Sequence, residues 1–148
     1  AYRITMLFSR VFYPFLSRRM DKHSVYAIVS ILIGFLISIF FFFGSDLLVQ
    51  LFLGDAFSET ITVLRIVSFT PLAISIFNVY GTNYLAIKCK DSILRNIVIG
   101  TTILGLFFGV FGAIYYSYIG VAVCSLLTQS VRALAAFIFA KIEMKKSL

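Results

Sequence analysis

Long apolar runs separated by short polar segments make up most of this 148-residue sequence. A transmembrane helix needs about 20 consecutive, mainly apolar residues to cross about 30 Å of hydrocarbon. Four runs reach that length. They predict spans at about 25–45, 61–87, 93–116 and 119–140, with a partial span at 1–17 and a tail at 141–148. Because runs such as Phe40–Phe43 do not alternate as barrel strands do, the sequence predicts an all-α, polytopic transmembrane helical bundle.

The polar segments alternate in charge along the chain. The first, third and fifth are basic, the second is acidic, and the fourth is uncharged and aromatic. The basic residues are Arg18, Arg19, Lys22, Lys88, Lys90, Arg95, Lys141, Lys145 and Lys146. Membrane proteins keep Lys and Arg in their cytoplasmic loops. The pattern therefore predicts a multi-pass protein whose C-terminus is cytoplasmic.

Composition excludes several other classes of protein. The sequence is 61% hydrophobic and only 13% charged, whereas soluble domains are about 45–50% apolar and about 25% charged. Such a chain has too few polar side chains to cover the surface of a soluble domain. The same composition excludes a disordered tail and a nucleic-acid-binding domain. The formal net charge of +7 is explained by the basic cytoplasmic loops, so no nucleic acid partner is predicted.

Groups for catalysis or metal binding are scarce. His23 is the only histidine and lies in a basic loop, where a solvated side chain is the simpler interpretation. Cys89 and Cys124 are isolated and form no CxxC pair. The sequence contains no HExxH, P-loop, GxGxxG or GxSxG motif. The sequence therefore predicts no enzyme, no catalytic residue, no metal site and no cofactor.

A polar stripe follows the last predicted span. Ser125, Thr128, Gln129 and Arg132 are spaced at i, i+3, i+4 and i+7, which places them on one helix face. A charged residue inside a span costs about 2.5–3.5 kcal/mol on insertion scales. Arg132 could line a cavity as an anion ligand, or its side chain could reach the headgroups at the cytoplasmic end. The polar neighbours on its face keep both interpretations open.

Two other spans carry polar residues of interest. Arg3 and Arg10 share one face of the partial first span, either as a basic stripe towards a cavity or as charges near a membrane surface. Asn78 follows Ser75 by three residues in the second full span, where an amide either bonds a neighbouring helix or contacts a sugar. Pro71 predicts a kink in that span.

Small residues define one face of the third full span. Thr101, Gly105 and Gly109 repeat at four-residue spacing, and Gly112 follows Gly105 by seven residues. Such faces let two helix backbones approach closely. Packing within the same subunit is the preferred interpretation.

Several segments together resemble a known family. The chain begins without Met and within an apolar segment, which suggests the C-terminal part of a longer protein. The telling segments are Phe12–Arg18, Leu51–Phe57, Val63–Ile66 and Asn78–Thr82. With Pro71 between them, they resemble the C-terminal part of the polysaccharide transporter family, which includes the O-antigen flippases of the multidrug/oligosaccharidyl-lipid/polysaccharide exporter superfamily.

The resemblance implies a MATE-like fold of two helical bundles around a central cavity. It implies a flippase that moves undecaprenyl-pyrophosphate-linked oligosaccharide from the cytoplasmic to the periplasmic leaflet of the bacterial inner membrane. The partners would be the lipid-linked oligosaccharide, membrane lipid and the N-terminal half of the same transporter. The candidate substrate-binding residues are Arg10, Arg132, Gln129 and Asn78.

Two alternatives stay open. The first is a cation-coupled multidrug exporter of the same superfamily. Arginine rather than acidic residues in the spans favours an anionic substrate over a cationic drug. The second is a non-transporting membrane assembly subunit, in which the polar stripes serve only helix packing.

Overall fold

A computed structural model describes residues 23–54 and 57–146 of the chain. Every regular element in these ranges is a helix, and no strand occurs there, so the predicted all-α class is confirmed for them. The elements are α1 (His23–Phe43), α2 (Ser45–Phe52), α3 (Glu59–Val67), α4 (Thr70–Phe77), a π-helix (Asn78–Leu85) and α5 (Asp91–Lys146).

Three helical stretches in the described residues are long and apolar enough to cross a membrane. They are Ser24–Phe43, Glu59–Leu85 and Asp91–Lys146. Many of their large apolar side chains are exposed, among them Phe43 and Ile114. Contiguous exposed apolar surface of this kind marks contact with lipid or with another protein. The coarse prediction of a helical protein compatible with membrane insertion is therefore confirmed.

α5 is a helical hairpin rather than one straight rod. Ser117 breaks the helix with φ 53° and ψ −141°, a backbone conformation that non-glycine residues rarely adopt. We call residues 91–116 the first arm and residues 118–146 the second arm. The two arms run antiparallel, because residue 101 lies beside residue 132 and residue 108 beside residue 124.

Small residues bring the two arms into close contact. A Cβ atom added to Gly105 would lie 2.7 Å from Thr128 Oγ1, and one added to Gly112 would lie 2.9 Å from the Gly120 carbonyl oxygen. Neither position has room for a larger side chain. The predicted close helix contact within one subunit is confirmed at Gly105 and Gly112, whereas a Cβ atom added to Gly109 would meet no atom within 4 Å.

α4 and the π-helix form the centre of the bundle. They pack against α1 on one side and against the hairpin on the other. The contact with α1 is antiparallel, because Gly34 lies against Ser75 and Tyr26 reaches Asn83. The backbone of α1 can approach α4 closely because Gly34 has no side chain there.

Pro71 acts at the start of a helix. α3 ends at Val67, Ser68 follows as its C-cap, and α4 begins at Thr70 with Pro71 in its first turn. Proline is tolerated there because the first N–H groups of a helix have no partner within it. The interruption predicted from Pro71 is therefore a break at residues 68–69, ahead of the proline.

Side-chain contacts define the two ends of the bundle. At one end, the Tyr118 hydroxyl donates a hydrogen bond of 2.5 Å to the Glu59 carboxylate. This bond raises the pKa of Tyr118, which is the first residue of the second arm, directly after the turn at Ser117. At the other end, Lys90 pairs with Glu143 at 3.2 Å. Because the arms are antiparallel, these two contacts lie at opposite ends of the hairpin.

Candidate functional site

Arg132 lies where the two hairpin arms meet α4. Its Nε donates a hydrogen bond to Thr101 Oγ1 at 3.0 Å, and its Nη2 donates one to Thr102 Oγ1 at 2.9 Å. The guanidinium carbon is 5.9 Å from the centre of the Phe77 ring, within the range of a cation–π contact. Arg132 is thus held in a defined orientation and does not simply extend along the helix to its end.

Thr101 is itself fixed by the backbone. Its hydroxyl donates to the Ile97 carbonyl oxygen at 2.8 Å, which leaves the hydroxyl oxygen free to accept from Arg132. A guanidinium has five N–H donors, and the two threonines use two of them. Among the described residues no other acceptor bonds this guanidinium, so three donors remain there for a further acceptor, such as a phosphate or carboxylate oxygen.

A shallow groove runs along one side of the hairpin beside this arginine. We call it the hairpin groove; its volume is about 450 Å³. Its polar lining comes from both arms: Thr102, Ser125, Thr128, Gln129 and Arg132. Gly105 and Gly109 also line it, and a Cβ atom added to Gly109 would meet no atom within 4 Å. The structure therefore brings two of the predicted site residues, Gln129 and Arg132, into one groove.

The polar stripe of the last predicted span divides between two environments. Thr128 faces the first arm, where its hydroxyl donates to the Cys124 carbonyl oxygen at 2.7 Å and its side chain contacts Gly105. Ser125 is exposed and Gln129 is half-buried, both on the groove. Thr128 thus packs the hairpin as well as bordering the groove, whereas Ser125 and Gln129 only line the groove.

Asn78 occupies a different site. It is buried at the first position of the π-helix, and its Nδ2 atom has no hydrogen-bond partner in the described part of the chain. The Oγ atoms of Ser30 and Ser75 are also buried without a partner there. Ser75 faces α1 at Gly34. Ser75 therefore lies at the contact of α1 with α4. Asn78 is not among the residues that line the hairpin groove.

Arg10, with Arg3 and the partial span at 1–17, lies outside the described residues. The sequence proposal for Arg10 therefore stays a prediction. Of the four candidate residues, the structure groups Gln129 with Arg132 and places Asn78 elsewhere.

Sequence reasoning missed three partners in and around these sites. Thr102 accepts a hydrogen bond from Arg132, but it does not belong to the four-residue repeat that includes Thr101. Phe77 contacts Arg132 from another helix, and Tyr26 contacts Asn83 across 57 positions. The i, i+1 threonine pair opposite an arginine on a neighbouring span is a signal that could have indicated Thr102. No local signal indicates the pairings between distant segments.

Other charged and nucleophilic residues have simpler roles. Arg65 pairs with Asp46 at 2.6 Å and donates from Nε to Ser45 Oγ at 3.1 Å, so it has partners in the bundle. Cys89 and Cys124 are free thiols. Among the described residues, no group of three or more His, Cys, Asp or Glu side chains could hold a metal ion.

No protein-family model, no curated protein and no solved structure matches this chain.

Proposed function

We propose that this chain is part of a membrane flippase for an anionic, lipid-linked oligosaccharide. The observation that carries the proposal is the arrangement around Arg132, a fixed guanidinium on a polar groove within an otherwise apolar hairpin. A permanently charged group is costly at membrane depth and usually marks a substrate path or a polar interior. The three N–H donors that have no partner in the described part of the chain suit a pyrophosphate group.

The neighbours of Arg132 suit the rest of such a substrate. Ser125 and Gln129 offer hydroxyl and amide groups on the same groove, which can donate to and accept from sugar hydroxyls. In this proposal the groove borders a hydrated path completed by the N-terminal half of the transporter. The lipid tail of the substrate stays in the bilayer while the polar part crosses. The bacterial inner membrane, with the basic end of the bundle in the cytoplasm, is the corresponding location.

A complementation experiment tests this proposal. In a strain that lacks its own flippase, the full-length gene should restore surface polysaccharide. Arg132→Ala should lower surface polysaccharide at least tenfold, whereas Arg132→Lys should retain part of it because the positive charge remains. Arg65→Ala is the matched control, because Arg65 is also an arginine with two polar partners but lies outside the groove.

Membrane abundance must be measured for each variant by immunoblotting. Full complementation by Arg132→Ala at normal abundance would overturn the proposed role of the groove. Loss of complementation in the Arg65→Ala control at normal abundance would show that the assay does not isolate the groove.

The second candidate is a membrane assembly subunit. The bonds of Arg132 to Thr101 and Thr102 favour it, because they also serve to hold the two arms together. In that case Arg132→Ala should destabilise the hairpin and lower membrane abundance. Thr102→Val separates the two proposals, since it removes one bond to Arg132 but leaves the guanidinium charge on the groove. It should lower membrane abundance if this bond serves assembly, and it should keep complementation if the charge serves transport.

A further inference from the structure

A second groove lies between α1 and the second arm of the hairpin, away from Arg132. We call it the α1 groove; its volume is about 530 Å³. α4 and the π-helix separate α1 from the second arm, and Leu72 and Tyr80 from these elements form the floor. The groove is partly open to the surface and mainly apolar.

The polar and apolar residues of this groove are separated along its length. Ile28, Leu32 and Phe35 line the wall on α1, and all three are exposed. Ser24, at the start of α1, and Lys141, near the end of the second arm, lie at the other end of the groove. The α1 groove therefore has an apolar wall along α1 and a positive charge, Lys141, at one end.

The length of the apolar wall corresponds to half of a bilayer. At 1.5 Å per residue, the stretch of α1 from Ser24 to Phe35 is about 16 Å long. The hydrocarbon core is about 30 Å thick, so one leaflet is about 15 Å. A lipid tail that starts at the Lys141 end would lie against this wall down to the middle of the membrane.

Lys141 is available for an anionic headgroup. Its Nζ lies 5.8 Å from the centre of the Phe137 ring, and none of the ion pairs in the described residues includes it. Glu143 is the nearby acid in sequence, but it pairs with Lys90 and Lys146. Residues two apart on a helix point in different directions, which is consistent with these separate partners.

We infer that the α1 groove binds one anionic phospholipid of the surrounding leaflet, with its phosphate at Lys141 and one acyl chain along Ile28, Leu32 and Phe35. Basic pockets between transmembrane helices at the cytoplasmic side are a known setting for anionic headgroups. The proposal does not depend on the flippase function, because it uses neither Arg132 nor the hairpin groove. It assigns this surface a bound lipid rather than a transported one.

Lipid retention tests this site. The full-length protein is reconstituted in nanodiscs of equal phosphatidylglycerol and phosphatidylcholine, extracted in mild detergent, and its retained lipids are counted by mass spectrometry. A lysine near the surface contributes about 1 kcal/mol, or about fivefold, to binding of anionic lipid. The protein should therefore retain about five times more phosphatidylglycerol than phosphatidylcholine, and Lys141→Gln should remove this preference.

Three variants make the result specific. Lys141→Arg should keep the preference, and Lys145→Gln should leave it unchanged, since Lys145 lies near the same end but outside the groove. Leu32→Trp should lower retention of both lipids by filling the apolar part. Free glycerol phosphate in excess should not displace the lipid, because it has no acyl chain.

Three results would overturn the inference. The first is an undiminished preference in Lys141→Gln, and the second is unchanged retention in folded Leu32→Trp. Displacement by free glycerol phosphate would also overturn it, because the site would then recognise phosphate alone.

Discussion

Asn83 donates a hydrogen bond of 2.6 Å from Nδ2 to the hydroxyl of Tyr26, in a buried contact between the π-helix and α1. The two residues lie 57 positions apart in the sequence. Asn83 is fully buried and Tyr26 nearly so. This contact, together with Gly34 against Ser75, fixes the antiparallel register of α1 on the central helix.

The first prediction is a measurable coupling between these two side chains. Tyr26→Phe and Asn83→Ala should each destabilise the folded protein, and the double variant should lose less than the sum of both. Hydrogen bonds between membrane helices average about 0.6 kcal/mol, with a maximum of about 1.7. A double-mutant cycle of unfolding free energies in mixed micelles measures this coupling. A coupling of zero would show that the bond contributes nothing to stability.

The second prediction concerns the contact between the hairpin arms. Gly105→Ala should destabilise the hairpin by about 1–3 kcal/mol, the usual cost of overpacking a close contact. Thr128 cannot easily move away, because its hydroxyl is bonded to the Cys124 carbonyl. Gly109→Ala is the matched control on the same arm, where a new Cβ would meet no atom within 4 Å. Thermal unfolding in detergent should separate the two variants, and equal melting temperatures would contradict this packing.

The third prediction concerns the hairpin turn. Ser117 has φ 53° and ψ −141°, and holding a non-glycine residue in a sparsely populated backbone region costs about 1–3 kcal/mol. Ser117→Gly should therefore raise the free energy of unfolding by about 1 kcal/mol. Ser125→Gly, in the middle of the second arm, should instead lower it by about 0.5 kcal/mol through helix propensity. Destabilisation by Ser117→Gly would contradict the strained turn.

The fourth prediction concerns which ends of the hairpin share a compartment. Cys89 is exposed beside Lys90, at the end opposite the turn. In the full-length protein with Cys124→Ala, an impermeant maleimide should label Cys89 only after the membrane is permeabilised. With Cys89→Ala as well, Tyr116→Cys near the turn should react in intact spheroplasts. Labelling of both positions from the same side would exclude the proposed topology.

The helical elements followed from the sequence because their cause is local. Runs of apolar residues must satisfy their backbone hydrogen bonds internally when they enter hydrocarbon, and this requirement predicts helices without knowledge of any partner. The close contact at Gly105 and Gly112 was also predictable, since small residues at regular spacing allow two backbones to approach. Both are properties of a short stretch of chain.

The site was only partly predictable because its partners come from different helices. Spacing placed Gln129 and Arg132 on one face, and the structure adds Thr102 from the first arm and Phe77 from α4. Asn78 was a further candidate substrate-binding residue on another span, but it is buried and does not line the hairpin groove. The spacing of residues along one helix predicts which helix face they share. The residues that contact this face are determined only by the packing of several helices.

The π-helix at Asn78–Leu85 had no signal in the sequence. Isolated apolar periodicity does not distinguish i→i+4 from i→i+5 hydrogen bonding, and π-helices are rare. Val79 and Leu85 within it are fully buried, whereas Thr82 is exposed, so its wider turns are packed against neighbours on most but not all of their surface. Tertiary contacts with α1 and the hairpin therefore determine this segment as much as its own residues do.

The tight turn at Ser117 also bears on how a hairpin of this kind would enter a membrane during synthesis. From residue 96 to residue 131 the sequence has no charged side chain, and the two arms are already matched by small residues on either side of the turn. No ionised group at the turn would have to be moved across the membrane. Each arm packs against the other arm, so neither needs a helix from a distant part of the sequence before it can pack. The hairpin is therefore suited to insert as a single preassembled unit.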